Sequence, residues 1–162
     1  MTIEKTPTNK TKSIRLKVIK ATWETLTIKE ALPDYLINNR KISSSNDVYQ
    51  LFRYLTLETK EHFLALHLDA KNKIICVDQV SVGSLTASIV HPREVMKSCM
   101  LSSCAGLVLV HNHPSEDPSP SREDIEITKR IKECCDLMGI RLLDHVVIGD
   151  NEYVSLADRG LL

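Results

Sequence analysis

From residue 44 onward the apolar positions change period several times, and each change marks an element. Ser43, Ser44, Ser45 and Asn46 form a polar break. Beyond it Val48, Leu51, Phe52 and Leu55 recur every three or four positions, which puts them on one helical face. The expected helix runs from Asp47 to about Glu58, capped by Ser45 or Asn46. Apolar runs of strand length follow at His62–Leu68 and Lys73–Val82, separated by the turn-like Asp69-Ala-Lys-Asn72, so they read as a hairpin. Gly83 lets the chain bend out, and Thr86–Val90 is short and extended. Pro92 suits the first turn of a helix reaching about Ser103.

The next run, Leu107-Val-Leu-Val110, is apolar and β-branched and reads as a buried strand after Gly106. Pro114 stops it, and a loop with Pro118 and Pro120 leads to Ser121, the expected N-cap of a helix. That helix carries the stripe Ile127, Thr128, Ile131, Cys134, Cys135 and Met138, with Gly139 at its C-cap. Leu142–Ile148 is another strand. Gly149-Asp150-Asn151 turns it into Tyr153-Val154, and Ser155–Asp158 is a final turn. Helix, two strands, helix, strand, helix and two strands predict an α/β (α+β) fold, a mixed sheet with flanking helices. Upstream, residues 24–40 read as helical as far as Pro33, and Ile14–Ile19 alternates like an edge strand. The main domain is placed at 44–162, after a lead-in segment at 1–43.

The central strand ends in chemistry. His111 and His113 are two apart, so both rings leave the strand on one face. Asp124 precedes Ile127 and Thr128 by three and four positions and therefore faces inward with the stripe. An inward carboxylate needs a partner, because a lone buried charge is costly. Ser-x-x-Asp alone is an ordinary capping box, and His-x-His alone arises by chance. Their combination around one strand-to-helix junction points to a metal site. Two imidazoles and one carboxylate suit Zn²⁺ and leave a fourth position for water, the catalytic pattern.

His111-x-His113, seven residues and then Ser121-x-x-Asp124 resemble the JAMM motif of MPN-domain metalloproteins. More closely, HNHPSEDPSPSREDIEITKRI and LLDHVVIGDNEYVSLAD resemble bacterial RadC proteins, and the likeness runs from about Ser44 to the C-terminus. The resemblance implies an α/β sandwich related to the cytidine-deaminase fold. It implies a zinc-dependent hydrolase of amide bonds, peptide or isopeptide, acting through metal-activated water. It implies that a glutamate ahead of an early strand is the general acid/base: Glu61, directly before His62, fits, with Glu58 as its neighbour and competitor. It also gives the Ser121 hydroxyl a part in stabilising the oxyanion. Glu116 departs from the glycine common in the family after His-Pro-Ser. Deamination is disfavoured despite the shared fold, because it wants His-x-Glu and a Cys-x-x-Cys, and neither is present.

Composition changes this picture little. The 162 residues are 43% hydrophobic and 26% charged, an ordinary globular mixture of one-domain length. A formal net charge of zero argues against whole-surface attraction to nucleic acid. Lys5, Lys10, Lys12, Arg15, Lys17 and Lys20 against Glu4 make a basic arm, read as a solvated tail, with weak contact to nucleic acid or an acidic partner as the other reading. No apolar run reaches membrane-spanning length, and no signal-peptide core is visible, so a cytoplasmic location is expected. The five cysteines form no Cys-x-x-Cys pair and are expected to be reduced. A rival class is a DNA-repair-associated or protein-interaction module with a structural metal; RadC-like proteins carry that label. The chain shows no room for the helix-hairpin-helix region often found ahead of the domain. His145 is read as a structural histidine or a partner of a metal ligand. An exposed edge strand could pair two copies into a homodimer.

Overall fold

The computed structural model describes residues 34–83 and 90–162, with Lys17, residues 22–25 and Thr27. The expected strand at Ile14–Ile19, most of the helix at 24–33 and nearly all of the extended Thr86–Val90 segment lie outside the described residues. A short helix, α1 (Asp34–Asn39), follows Pro33, where the apolar pattern is ambiguous.

Helix α2 spans Ser45–Phe52, and a 3₁₀ turn, Arg53–Leu57, continues it. Both ends differ from expectation. The N-cap is Ser44, not Ser45 or Asn46, because Asp47 decides the frame. The Ser44 hydroxyl accepts the Asp47 N–H, while an Asp47 carboxylate oxygen accepts the N–H groups of Ser43 and Ser44. The α-helical frame ends at Phe52, and the aromatic and β-branched residues beyond it are weak helix formers. The tighter turn still buries Leu55.

Strands β1 (His62–Leu68) and β2 (Ile74–Val82) form the expected antiparallel hairpin. In its turn, Asp69 Oδ1 accepts the N–H groups of Lys71 and Lys73. Helix α3 (Pro92–Ser102) has proline in its first turn as expected. Strand β3 (Gly106–Asn112) is buried along its whole length. Helix α4 (Arg122–Met138), strand β4 (Arg141–Ile148) and strand β5 (Tyr153–Ser155) complete the order.

The five strands lie in the order β2-β1-β3-β4-β5. Only β3 and β4 are parallel, and α4 supplies the crossover that parallel neighbours require. Alternation along the central strands feeds two cores. Leu64, Leu66, Val108, Val110, Val146 and Ile148 pack on α2 and the 3₁₀ turn. Phe63, Ala65, Leu107 and Leu109 face the other way, onto α3 and α4. Each fully buried Leu or Phe contributes roughly 1.5–3 kcal/mol. In the α4 stripe Thr128, Ile131 and Cys135 are buried and Ile127 and Cys134 partly so, but Met138 at the helix end is 45% exposed. All five cysteines are free thiols. No helix among the described residues is long and apolar enough to cross a membrane.

This topology gathers the candidate residues. Because β1 runs antiparallel to β3, its first residues lie beside the last residues of β3, with Phe63 opposite His111. The segment holding Glu61, the end of β3 and the start of α4 therefore meet at one end of the sheet.

Candidate metal centre

His111 is the last residue but one of β3, and His113 follows the strand. Their Nε2 atoms stand 2.9 Å apart. The His111 ring is fully buried against Phe63, with which it stacks at 6.0 Å between centroids. The His113 ring lies nearer the surface, with its Nδ1 2.7 Å from the Asp117 carbonyl oxygen. A carbonyl only accepts, so Nδ1 carries the hydrogen and the neutral ring keeps its lone pair on Nε2.

The third member comes from α4, and its cap aims it. Ser121 has extended backbone and its hydroxyl accepts the Asp124 N–H at 3.1 Å. Asp124 Oδ2 in return accepts the Ser121 N–H at 2.7 Å and the Ser121 hydroxyl at 2.6 Å. Held in this way, the buried carboxylate places Oδ1 3.2 Å from His111 Nε2 and Oδ2 3.5 Å from His113 Nε2. Burial alone would raise the Asp124 pKa. The neighbouring His111 and His113 rings and the Ser121 hydroxyl outweigh it and hold the carboxyl well below the usual range. The Asp124 carboxylate is also the first cause of a raised His113 pKa, against burial, with the Asp117 carbonyl and the Glu61 charge adding to it.

One atom in this group has no partner. Asp124 Oδ1 is buried and, among the described residues, receives no hydrogen bond. Leaving such an acceptor bare costs about 1–3 kcal/mol, more for a charged group. A proton on His113 can serve Oδ2 and His111, but Oδ1 stays bare. A cation seated among His111, His113 and Asp124 answers all three, and one donor atom from each lies within 4.8 Å of the others. The three residues can hold a metal ion.

Glu61 precedes β1 and is partly buried, not fully exposed. Its carbonyl accepts the Gly83 N–H at 2.9 Å, and its charge reaches His113. With Thr59, Lys60, Gly83, Pro114 and Ser115 it lines an open groove of about 460 Å³. Glu58 sits at the end of the 3₁₀ turn and faces His62 at 3.5 Å. Ser121 caps α4, and its hydroxyl hydrogen goes to Asp124. Glu116, in the loop between His113 and α4, has φ +70, a left-handed backbone that glycine adopts without strain.

Two further residues touch the group. His145 is completely buried on β4, with its Nε2 2.8 Å from His111 Nδ1. Burial pushes its pKa well down, and the nearby His111 adds to this. Its Nδ1 lies 2.6 Å from the Thr128 hydroxyl. In the sequence Thr128 is only one member of the α4 stripe. The available signal was its polar side chain on an inward face, one turn after Asp124.

A five-stranded sheet between helical layers, with a His-x-His and Ser-x-x-Asp group at the end of its central strand, defines a JAB/MPN-type domain. The chain belongs to the RadC-like JAB domain family, whose model matches residues 42–161. It is 55% identical over 124 residues to a UPF0758 protein of Methanosarcina mazei, covering 76% of this chain and 54% of that protein. It is 50% identical over 128 residues to a UPF0758 protein of Geobacter sulfurreducens, covering 78% of this chain and 56% of that one. The chain thus spans about half the length of the curated relatives it matches.

Proposed function

We propose that this domain is a zinc-dependent hydrolase that cleaves an amide bond of a peptide or isopeptide substrate. One observation carries the reading: His111 Nε2, His113 Nε2 and the unpartnered Asp124 Oδ1 converge on one point, and the Glu61 charge reaches His113. Two imidazoles and a carboxylate are the donor set of catalytic zinc sites. Bound there, the ion supplies Lewis acidity to water and to a carbonyl group.

The chain's own residues account for the remaining tasks. His111, His113 and Asp124 hold the ion, and the Ser121 cap keeps Asp124 turned inward. Glu61 takes a proton from water and passes it to the leaving nitrogen, a role worth roughly 10²–10⁴ in rate.

Metal analysis of the purified protein tests the first half of this reading. About one zinc per chain is expected, with none retained by Asp124→Ala. A screen of peptide and isopeptide substrates with Glu61→Gln as control tests the second. Hydrolysis lost in Glu61→Gln while zinc is retained supports the enzyme. Stoichiometric zinc with no Glu61-dependent hydrolysis favours a module whose metal is structural.

A further inference from the structure

Thr128 and His145 lie fully buried behind the metal position, yet they close a circuit between two of its candidate ligands. Thr128 Oγ1 is 2.5 Å from the Asp124 carbonyl oxygen, one helical turn back. It is also 2.6 Å from His145 Nδ1. His145 Nε2 is 2.8 Å from His111 Nδ1. All of these side chains are fully buried, so water cannot substitute for a missing partner.

The direction of each bond follows from the first. A hydroxyl has one hydrogen, and a carbonyl can only accept. If the Thr128 hydrogen pointed to His145, two bare oxygens would face each other at 2.5 Å. The hydrogen therefore goes to the Asp124 carbonyl, the usual bond of a helical threonine. Thr128 Oγ1 must then accept from His145, so His145 carries its hydrogen on Nδ1. The ring is neutral in this dry setting, which leaves a lone pair on Nε2. That lone pair faces His111 Nδ1, which must carry the hydrogen in turn. The neutral His111 ring is left with its lone pair on Nε2, the atom that faces His113 and Asp124.

We propose that Thr128 and His145 are positioning residues whose directed hydrogen bonds fix the tautomer of His111, so that the Nε2 lone pair is presented to the metal position. The opposite direction would put a hydrogen on His111 Nε2, where the ion has to sit. The relay rests on the metal-centre reading and adds to it. The site needs its ligands close together, and it also needs one of them in the correct tautomer before any ion arrives. The same circuit ties the end of β3 to the first turns of α4 through β4. Metal ligands commonly have such partners, and losing one typically weakens metal binding about 10- to 100-fold.

Two measurements test the relay. In metal-free protein labelled with ¹⁵N-histidine, at a pH where both rings are neutral, long-range ¹H–¹⁵N spectra report the tautomers. His111 and His145 are both expected as the Nδ1–H form. A dominant Nε2–H form of His111 in the unmodified protein overturns the proposal. Competition with a chromophoric chelator gives the zinc affinity. Thr128→Val, nearly isosteric but without the hydroxyl, is expected to bind zinc about 10- to 100-fold more weakly, with Nε2–H signal appearing on His111. Thr128→Ser, which restores the hydroxyl, is expected to recover both readings. Zinc affinity unchanged in a folded Thr128→Val overturns the relay, and if that variant does not fold, the tautomers of the unmodified protein decide alone. Should the unmodified protein bind no zinc, the metal-centre reading fails by itself, and the spectra still settle the bond directions.

Discussion

The side chain of Asn112 is bonded to the backbone of His62, 50 positions earlier: its Oδ1 accepts the His62 N–H at 2.8 Å. Its Nδ2 donates to the Lys60 carbonyl at 3.0 Å. Asn112 stands between the two candidate ligand histidines, and its bonds fall on either side of Glu61. Strand alternation sends His111 and His113 one way and Asn112 the other. One three-residue stretch thus supplies two candidate ligands and clips the segment that carries the candidate base.

Asn112→Ala removes both bonds and leaves a part-buried N–H and a carbonyl unpaired. A loss of about 1–3 kcal/mol in urea denaturation is expected, because the partners stay behind. Zinc affinity should hold, since none of the three ligand side chains is changed. Faster hydrogen exchange at the His62 amide is expected, and any Glu61-dependent hydrolysis should fall at least about tenfold through misplacement of the base. An equal drop in zinc affinity would show that Asn112 acts on the ligands and not on the Glu61 segment.

Gly149 makes a comparable claim on the loop after His113. A Cβ at this position would stand 2.3 Å from the Glu116 carbonyl oxygen and 2.6 Å from Pro118 Cδ. Backbone cannot yield as a flexible side-chain tip does, so Gly149→Ala must push the loop outward. Residues 116 and 118 flank Asp117, whose carbonyl holds His113 Nδ1. The expected cost is about 1–3 kcal/mol of stability, as for other overpacked sites. Zinc binding should weaken as well, because the His113 ring loses its anchor. A stability loss with unchanged zinc affinity would show that the His113 ring holds its place without the Asp117 carbonyl.

Most of the fold and the centre of the site were legible because their signals are local. His111 and His113 sit in one stretch, Ser121 and Asp124 in another, and a strand end followed by a helix start is readable from period, proline and cap. The helix frame at Ser44 was less legible. Four consecutive cap-capable residues compete there, and Asp47 selects among them only by reaching back. What could not be read depends on which strands become neighbours. Nothing local to Thr128 says that β4 runs parallel beside β3; for His145 the sequence left a structural role and a ligand-partner role open, and that pairing brings it behind His111. Asn112 likewise acquires its role only because β1 lies antiparallel to β3. Glu61 is intermediate: its place before β1 was legible, whereas its closeness to His113 follows from the pairing.

His67 gives a test of the fold that needs no metal. It is fully buried on β1, with Nδ1 2.8 Å from Ser102 Oγ and 3.4 Å from Cys76 Sγ. Its Nε2 faces Ser98 Oγ at 3.4 Å and Cys99 Sγ at 3.7 Å. Burial lowers its pKa, and the Asp78 charge only partly opposes this. The folded value is therefore below the unfolded value of roughly 6.5, so the unfolded chain takes up the proton first. Neutral His67 contributes its full stability above that pH, and the contribution is lost as pH falls toward the folded value. The slope in this window is at most about 1.4 kcal/mol per pH unit. Urea denaturation in the presence of a chelator, from roughly pH 7.5 to roughly pH 5.5, should show the unmodified protein losing more stability than His67→Gln. His145 has the same sign but is present in both proteins and cancels in the comparison. Parallel curves for the two would mean that His67 keeps nearly its unfolded proton affinity despite its burial, and that the hydroxyls of Ser98 and Ser102 turn to accept from a charged ring.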